Sequence, residues 1–306
     1  MQPAIIQPGH GPGLPPPGWR EQDGLWLPPR ERVVVADCGG AMGGSCGVRR
    51  RSAIGPVVPT LPSGAAWQLD HWDPSTMRQS VGGASVANND PVGIENDTRT
   101  SSGRNWQASS GQRPTYSSTA FGGRGGVVYG GSQRLTGATA APPAGACWYV
   151  HTWQLSVVPG SACVVMTESN GSVSTITFLS AISSYRPITF GAGLTSTVPV
   201  GLVVTLDTGV HTLAWTYLAT NPAVPGSPAD PTSPLQYRAV LDNVDVTSSI
   251  VAGSGGAIDN NASNNCLGAY NTGGVSALTG SLYKSGRGDW GASIAELIQA
   301  SAWGAY

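Results

Sequence analysis

Charge is scarce in this chain. Only 11% of its 306 residues are Asp, Glu, Lys or Arg, and the formal net charge is −1. Long surface helices draw their solvent face from Glu, Lys and Arg, so this composition disfavours them. Non-specific nucleic-acid binding needs a basic excess, and none is present. No apolar run approaches the ~20 residues that span a bilayer, so no membrane partner is expected. The opening MQPAIIQPGHGPG lacks the charged and apolar regions of a secretory signal, and Sec export is not expected. The five cysteines, Cys38, Cys46, Cys147, Cys163 and Cys266, include no Cys-x-x-Cys pair, which excludes a zinc knuckle. A Cys147–Cys163 bridge across a hairpin is open; the plainer reading is reduced, buried thiols.

What the chain has in quantity is glycine, 43 residues, and proline, 24 residues. Both serve turns. Between the turns lie short alternating runs. In Gly209 to Leu218, GVHTLAWTYL, His211, Leu213, Trp215 and Tyr217 fall on one face, and Val210, Thr212, Ala214 and Thr216 on the other. A period of two marks a β-strand, with the bulky face inward and the small face suited to a second layer. Further runs, CWYVHTWQLSVV, SACVVMTES, SVSTITFLSAI, SYRPITFGA, VPVGLVVTLD and QYRAVLDNVDV, recur about every ten residues with turn signals between them. The pattern predicts an all-β fold, an antiparallel two-sheet sandwich. Leu213, Trp215, Ile176, Phe178, Val203 and Ile294 are expected in its core. The segment 293–298 is expected to be a strand beside residues 65–69, protecting an edge.

Two domains are expected: an arm with a glycine-rich linker over 1–51, and the sandwich over 52–306. The arm carries LPPPGW and WLPPRER, which read as extended polyproline-type backbone. Trp19, Leu25 and Trp26 are its candidate docking residues, because exposed tryptophans are costly in water. The alternative is a disordered tail. Arg49-Arg50-Arg51 reads as a solvated patch.

A set of motifs then falls in a familiar order. Trp67, Asp70 and Asp73 give a Trp-x-x-Asp-x-x-Asp opening. Asn105-Trp106 and Arg113-Pro114-Thr115-Tyr116 follow, then an apolar strand from Gly126 to Ser132, the His211 to Tyr217 strand, a hairpin over Val240 to Val246, and an IAELI segment after Gly291. The series resembles the concanavalin A-like, laminin-G-type jelly rolls of tailed-bacteriophage virion proteins and bacterial surface proteins. It covers about residues 60–300. Val128-Tyr129-Gly130-Gly131-Ser132 stands where that family has Phe-Asp-Gly-Ser.

That resemblance implies a jelly roll and a structural component of a phage virion, displayed through the arm: a capsid decoration, head fibre or spike, or tail-associated subunit. Its partners would be other virion subunits in a homo-oligomer, with host-surface glycan as a further partner. It would be assembled in the bacterial host cytoplasm. The alternative is a carbohydrate-binding module of a bacterial surface or adhesin protein, and after it a divergent glycosidase. Jelly-roll glucanases carry two carboxylates on one face of one strand. Here Glu21, Glu31, Glu95, Glu168 and Glu296 lie on separate segments. No Gly-x-Ser-x-Gly elbow occurs, and a Ser-His-Asp set assembled in space leaves no mark in one sequence. The chain is therefore expected not to be an enzyme. Any glycan site is placed in the long polar segment 67–121, on Trp72, Trp106, Tyr116 and Asn105, since a flat aromatic suits the apolar face of a sugar ring. No cofactor is expected; calcium is the one candidate ion, on Asp70, Asp73 and Asp90, whose plainer roles are loop caps.

Overall fold

The computed structural model describes residues 20–22, 25–27, 58–99, 105–137, 145–169, 174–180, 186–194, 199–220, 230–253, 265–270 and 276–306. The chain divides into two compact units, Met1–Gly55 and Pro56–Tyr306. In the first unit, β1 (Arg20–Gln22) and β2 (Leu25–Leu27) form an antiparallel hairpin with Glu21 opposite Trp26. LPPPGW and all of WLPPRER beyond Leu27, read from the sequence as polyproline-type backbone, lie outside the described residues. Leu25 and Trp26 lie on β2, and Trp19 lies outside the described residues.

The second unit runs through β3 (Trp67–Leu69), β4 (Met77–Arg78), β5 (Ile94–Asn96), β6 (Asn105–Gln107), β7 (Thr115–Phe121), β8 (Arg124–Gly130) and β9 (Leu135–Gly137). Then come β10 (Cys147–Leu155), β11 (Cys163–Ser169), β12 (Ser174–Leu179), β13 (Ile188–Leu194), β14 (Val200–Leu202) and β15 (Val210–Tyr217). The last elements are β16 (Tyr237–Leu241), β17 (Val244–Asp245), β18 (Ile250–Val251), β19 (Asn265–Leu267), β20 (Thr279–Gly288) and α1 (Ile294–Ala305). One sheet, here sheet I, has the order β17-β16-β15-β10-β20-β8-β7, with β3 also paired to β20. Sheet II has the order β18-β14-β13-β12-β11-β19-β9-β6-β5-β4. The fold is the all-β antiparallel sandwich that the strand periodicity predicts.

Strand β10 shows why the layers stack as they do. Tyr149 and Trp153 join the core between the sheets, while Trp148 and Val150 join a second apolar cluster with Leu297, Ala300 and Trp303 of α1. Both faces of this strand are therefore buried, and α1 is the second layer that the small face of β15 anticipated. Gly304 lets the helix approach closely: a Cβ there would lie 2.6 Å from Thr152 Oγ1 and 2.7 Å from Thr212 Cγ2.

The segment 293–298, expected as a strand, begins this helix instead. Ser293 Oγ accepts from the Glu296 backbone N–H, and the Glu296 carboxylate accepts from the Ser293 backbone N–H. This capping box closes two otherwise orphaned donors. The partner of β3 is β20, with Leu69 opposite Ser285. Leu213, Trp215, Ile176 and Phe178 are buried as expected, although Ile176 and Phe178 lie in a separate cluster with Val164 and Leu194. Val203 is 61% exposed. Val200 and Leu202 take the inward positions of β14, so Val203 falls past its end on the other parity. Ile294 is half-buried at the helix start. Cys147, Cys163 and Cys266 are free and buried, and burial pushes the Cys163 thiol up to about 12.

His211 pins the start of β15. Its Nδ1 lies 2.8 Å from Asp242 Oδ2 and its Nε2 lies 2.9 Å from Asp207 Oδ1. The Asp242 bond comes first among the influences that raise the imidazole to about 9, against the opposing effect of burial. A folded value above the unfolded ~6.5 means that this staple is complete below about pH 6.5 and is lost as pH rises through about 9. An NMR titration of His211 is expected to give a midpoint well above 8, falling toward 6.5 in Asp242→Asn. A wild-type midpoint near 6.5 would show that the carboxylates do not hold the proton.

Candidate functional site

Two polar arrays cross the interior between the sheets. In the first, Glu168 on β11 accepts from three donors: Trp67 Nε1 at 3.2 Å, Tyr149 OH at 2.6 Å and Arg287 at 2.7 Å. Arg287 also pairs with Asp289 at 2.8 Å. Burial opposes the guanidinium charge, yet Glu168, Tyr149 and Asp289 outweigh it and raise Arg287 above its ordinary value. A buried cation needs such partners, because an unpaired one costs several kcal/mol.

The second array links four residues. His71 Nδ1 lies 2.7 Å from Glu95 Oε2, His71 Nε2 lies 3.0 Å from Ser285 Oγ, and His151 Nδ1 lies 3.2 Å from the same hydroxyl. One donor order satisfies every bond without leaving a buried N–H unpaired. His71 Nδ1–H donates to Glu95, Ser285 O–H donates to His71 Nε2, and His151 Nδ1–H donates to Ser285, which leaves only a lone pair at His151 Nε2. Burial, then the facing His71, holds the His151 imidazole down to about 3, so it stays neutral. A hydroxyl on one imidazole nitrogen and a carboxylate on the other is the relation that activates a serine nucleophile. Here all four residues are sealed inside the sandwich, with none of their surface reaching solvent. The array's reach in sequence, from residue 71 to residue 285, explains why no local motif revealed it.

The accessible candidate lies on the other face of sheet II. A cleft of about 630 Å³ is lined by Asn105, Gln107, Ala108, Ser109, Gln112, Arg134, Thr136 and Gly137. The strand period places these residues. On β6, Trp106 turns into the core, so Asn105 and Gln107 turn out; on β9, Leu135 turns in, so Arg134 and Thr136 flank it on the outer side. Gln107 sits opposite Thr136 in the ladder. The turn Ser110–Gln112 closes one end, held by the Arg134 backbone N–H donating to Gln112 O at 3.0 Å. Among the described residues the side chains of Gln107 and Gln112 make no hydrogen bond, which leaves their amides open to a ligand.

Of the residues expected to bind glycan, only Asn105 lines this cleft. Trp106 is 4% exposed, its ring packed edge-on against Trp67 at 5.7 Å, and it offers no stacking face. Tyr116 is also buried, and its OH donates to Trp72 O at 3.1 Å. Trp72 is 40% exposed and donates to Asp70 at 3.3 Å, away from the cleft lining. The acidic residues are occupied in loops. Asp70 accepts from Gln68, Trp72 and Thr98, Asp73 caps the Pro74–Thr76 turn, and Asp90 accepts from Gln79 and Ala87. Among the described residues no group of three or more His, Cys, Asp or Glu is placed to hold a metal ion, so Asp70, Asp73 and Asp90 do not form the calcium site that the sequence suggested. Arg134 was missed, since GSQRLTG reads as a loop and gives too few residues for a period to emerge.

No protein-family model matches the sequence, and no curated protein matches it. Solved structures do. Trypanosoma rangeli sialidase in complex with sialic acid aligns with a TM-score of 0.46 at 12% identity, over 79% of this chain and 33% of that one. Domain 4 of AbnA, a GH43 extracellular arabinanase from Geobacillus stearothermophilus, in complex with arabinotriose, aligns with a TM-score of 0.38 at 8% identity, over 61% of this chain and 81% of that one. An arabinofuranosidase complexed with arabinofuranosyl-α-1,2-xylobiose aligns with a TM-score of 0.44 at 12% identity, over 80% and 60%. The chain thus spans only a third of the sialidase's length. These likenesses concern the fold. Because a sialidase and an arabinofuranosidase stand among them, they overturn the expectation that the chain is not an enzyme, and that expectation is withdrawn.

Proposed function

We propose that the Pro56–Tyr306 unit binds glycan in the cleft between β6, β9 and the Ser110–Gln112 turn. This is the alternative drawn from the sequence, and it replaces the virion subunit as the leading reading, for which neither fold nor site supplies support. One observation carries it: free amides at Gln107 and Gln112, beside the Thr136 hydroxyl, line a cleft of about 630 Å³. Ligand sites run from about 300 to 1,000 Å³, with a few convergent polar groups that fix orientation. A side-chain amide donates and accepts at once, which matches a sugar hydroxyl doing the same. The stacking partner is not Trp106, and recognition in this reading rests on hydrogen bonds.

A glycan array probed with the full chain tests the reading. Binding to at least one oligosaccharide is expected, weakened about five- to ten-fold in Gln107→Ala and in Gln112→Ala, because a good polar contact contributes about 1–1.5 kcal/mol. Both side chains lie at the surface, so the variants are expected to keep the wild-type melting temperature. An array with no binding, or binding untouched by either change, defeats the proposal.

A further inference from the structure

Arg134 is the anomaly in the cleft. The residue is only 5% exposed, yet among the described residues its guanidinium makes no hydrogen bond and no ion pair, and its nitrogens keep a small opening to solvent. Arg287, the other deeply buried arginine among the described residues, has Glu168 and Asp289. The backbone of Arg134 is fixed by its N–H donating to Gln112 O, and Leu135 beside it is locked in the core, so the root of the side chain is set at the cleft. Its electrostatic influence falls on Cys266, whose thiol burial pushes up to about 11 while Thr136 and Arg134 pull it back. A neutral thiol does not satisfy a guanidinium. A cation so nearly enclosed, with water on one side as its remaining contact, is ready to take an anion from that side. What little surface Arg134 retains contributes to the cleft wall.

We propose that the cleft takes an acidic sugar, with Arg134 holding its carboxylate. The proposal rests on the glycan-binding reading and names the ligand class. A guanidinium presents two parallel N–H groups that match a planar carboxylate in a two-point pair. Among the described residues that line the cleft, Arg134 is the only cation. Gln107, Gln112 and Thr136 then take the ring hydroxyls. The arrangement sorts the work: the amides bind sugar in general, and the arginine selects those that carry an acid. A desolvated guanidinium discriminates strongly, because a neutral sugar in the same place leaves it unpaired.

The test uses the full chain and paired oligosaccharides in titration calorimetry. The pairs are trigalacturonic acid against its methyl ester, a glucuronic acid disaccharide against its carboxyl-reduced form, and a sialic acid trisaccharide against its neutral core. A sulfated oligosaccharide is a separate arm. At least one acid is expected to bind ten-fold or more tighter than its neutral partner. Arg134→Met is expected to abolish that preference, so that acid and neutral partner bind with affinities within about two-fold of each other. Removing an unpaired buried cation is not expected to lower the melting temperature, and Arg134→Lys serves as a second variant that keeps the charge but loses the fork and part of the preference. Neutral sugars bound as well as every acid overturn the inference and leave the glycan reading intact. Tighter binding of the sulfated arm than of any carboxylate also overturns it. Failure of all sugars to bind removes the glycan reading itself.

Discussion

Replacing Glu168 by alanine is expected to destabilise the fold by about 3–5 kcal/mol, the cost of stranding a buried charge. Three donors lose their acceptor at once: Arg287, Tyr149 and the Trp67 indole. Arg287 keeps Asp289, but that carboxylate is half-exposed and replaces only part of the field. Glu168 and Tyr149 are buried on opposite sheets, so water does not enter to help without loosening the sandwich. The array is also mutual. Once Glu168 is gone, the charge on Arg287 is the problem, and Glu168→Met with Arg287→Met is expected to recover a large part of the loss. Urea unfolding of the two single variants and the pair gives the coupling directly. A Glu168→Ala loss under about 1 kcal/mol, or strict additivity in the pair, would mean that the interior is wetter or more adaptable than its geometry implies.

The second large effect is acid destabilisation through His151. Its folded value is depressed to about 3, while an unfolded histidine titrates near 6.5. Between these values the unfolded chain binds a proton that the folded chain refuses, so stability is full above about pH 6.5 and is lost as pH falls. Each unit in that window costs about 1.4 kcal/mol, or roughly 2.5 kcal/mol by pH 4.5. His151→Phe keeps a ring against Tyr149 and leaves Ser285 bonded to His71. The variant's stability is expected to fall less steeply between pH 6.5 and 4.5 than the wild type's. Parallel curves for the two proteins would show that some other group sets the acid limit.

The strands were legible because they obey one period. Val210–Tyr217 could be read from its alternation alone, down to which face is bulky and which meets a second layer. The helix was not, although its signal was present. Ser293-Ile294-Ala295-Glu296 is a capping box, but IAELI also reads as an apolar strand, and a five-residue apolar run does not separate the two periods. The site was legible only at Asn105. Aromatic residues drew attention to Trp106 and Tyr116, and burial removed both, since large rings are worth more in a core than at a rim. Arg134 and the interior arrays carry no local signature. Their meaning comes from partners, or from the lack of one, on strands far away in the chain.

The place of β20 has a consequence for how the protein is made. It lies mid-sheet, bonded to β10 along one edge and to β8 and β3 along the other, and all three precede it in the chain. On the ribosome, those partners emerge with open edges and wait. Residues 67–69 must hold their pairing surface until residues 285–287 have been synthesised, more than two hundred positions later. Closing loops of that span is slow, and unpaired edges in the interval invite wrong partners. The centre of sheet I is therefore closed only once residues 279–288 have been synthesised, and until then its earlier strands carry open edges.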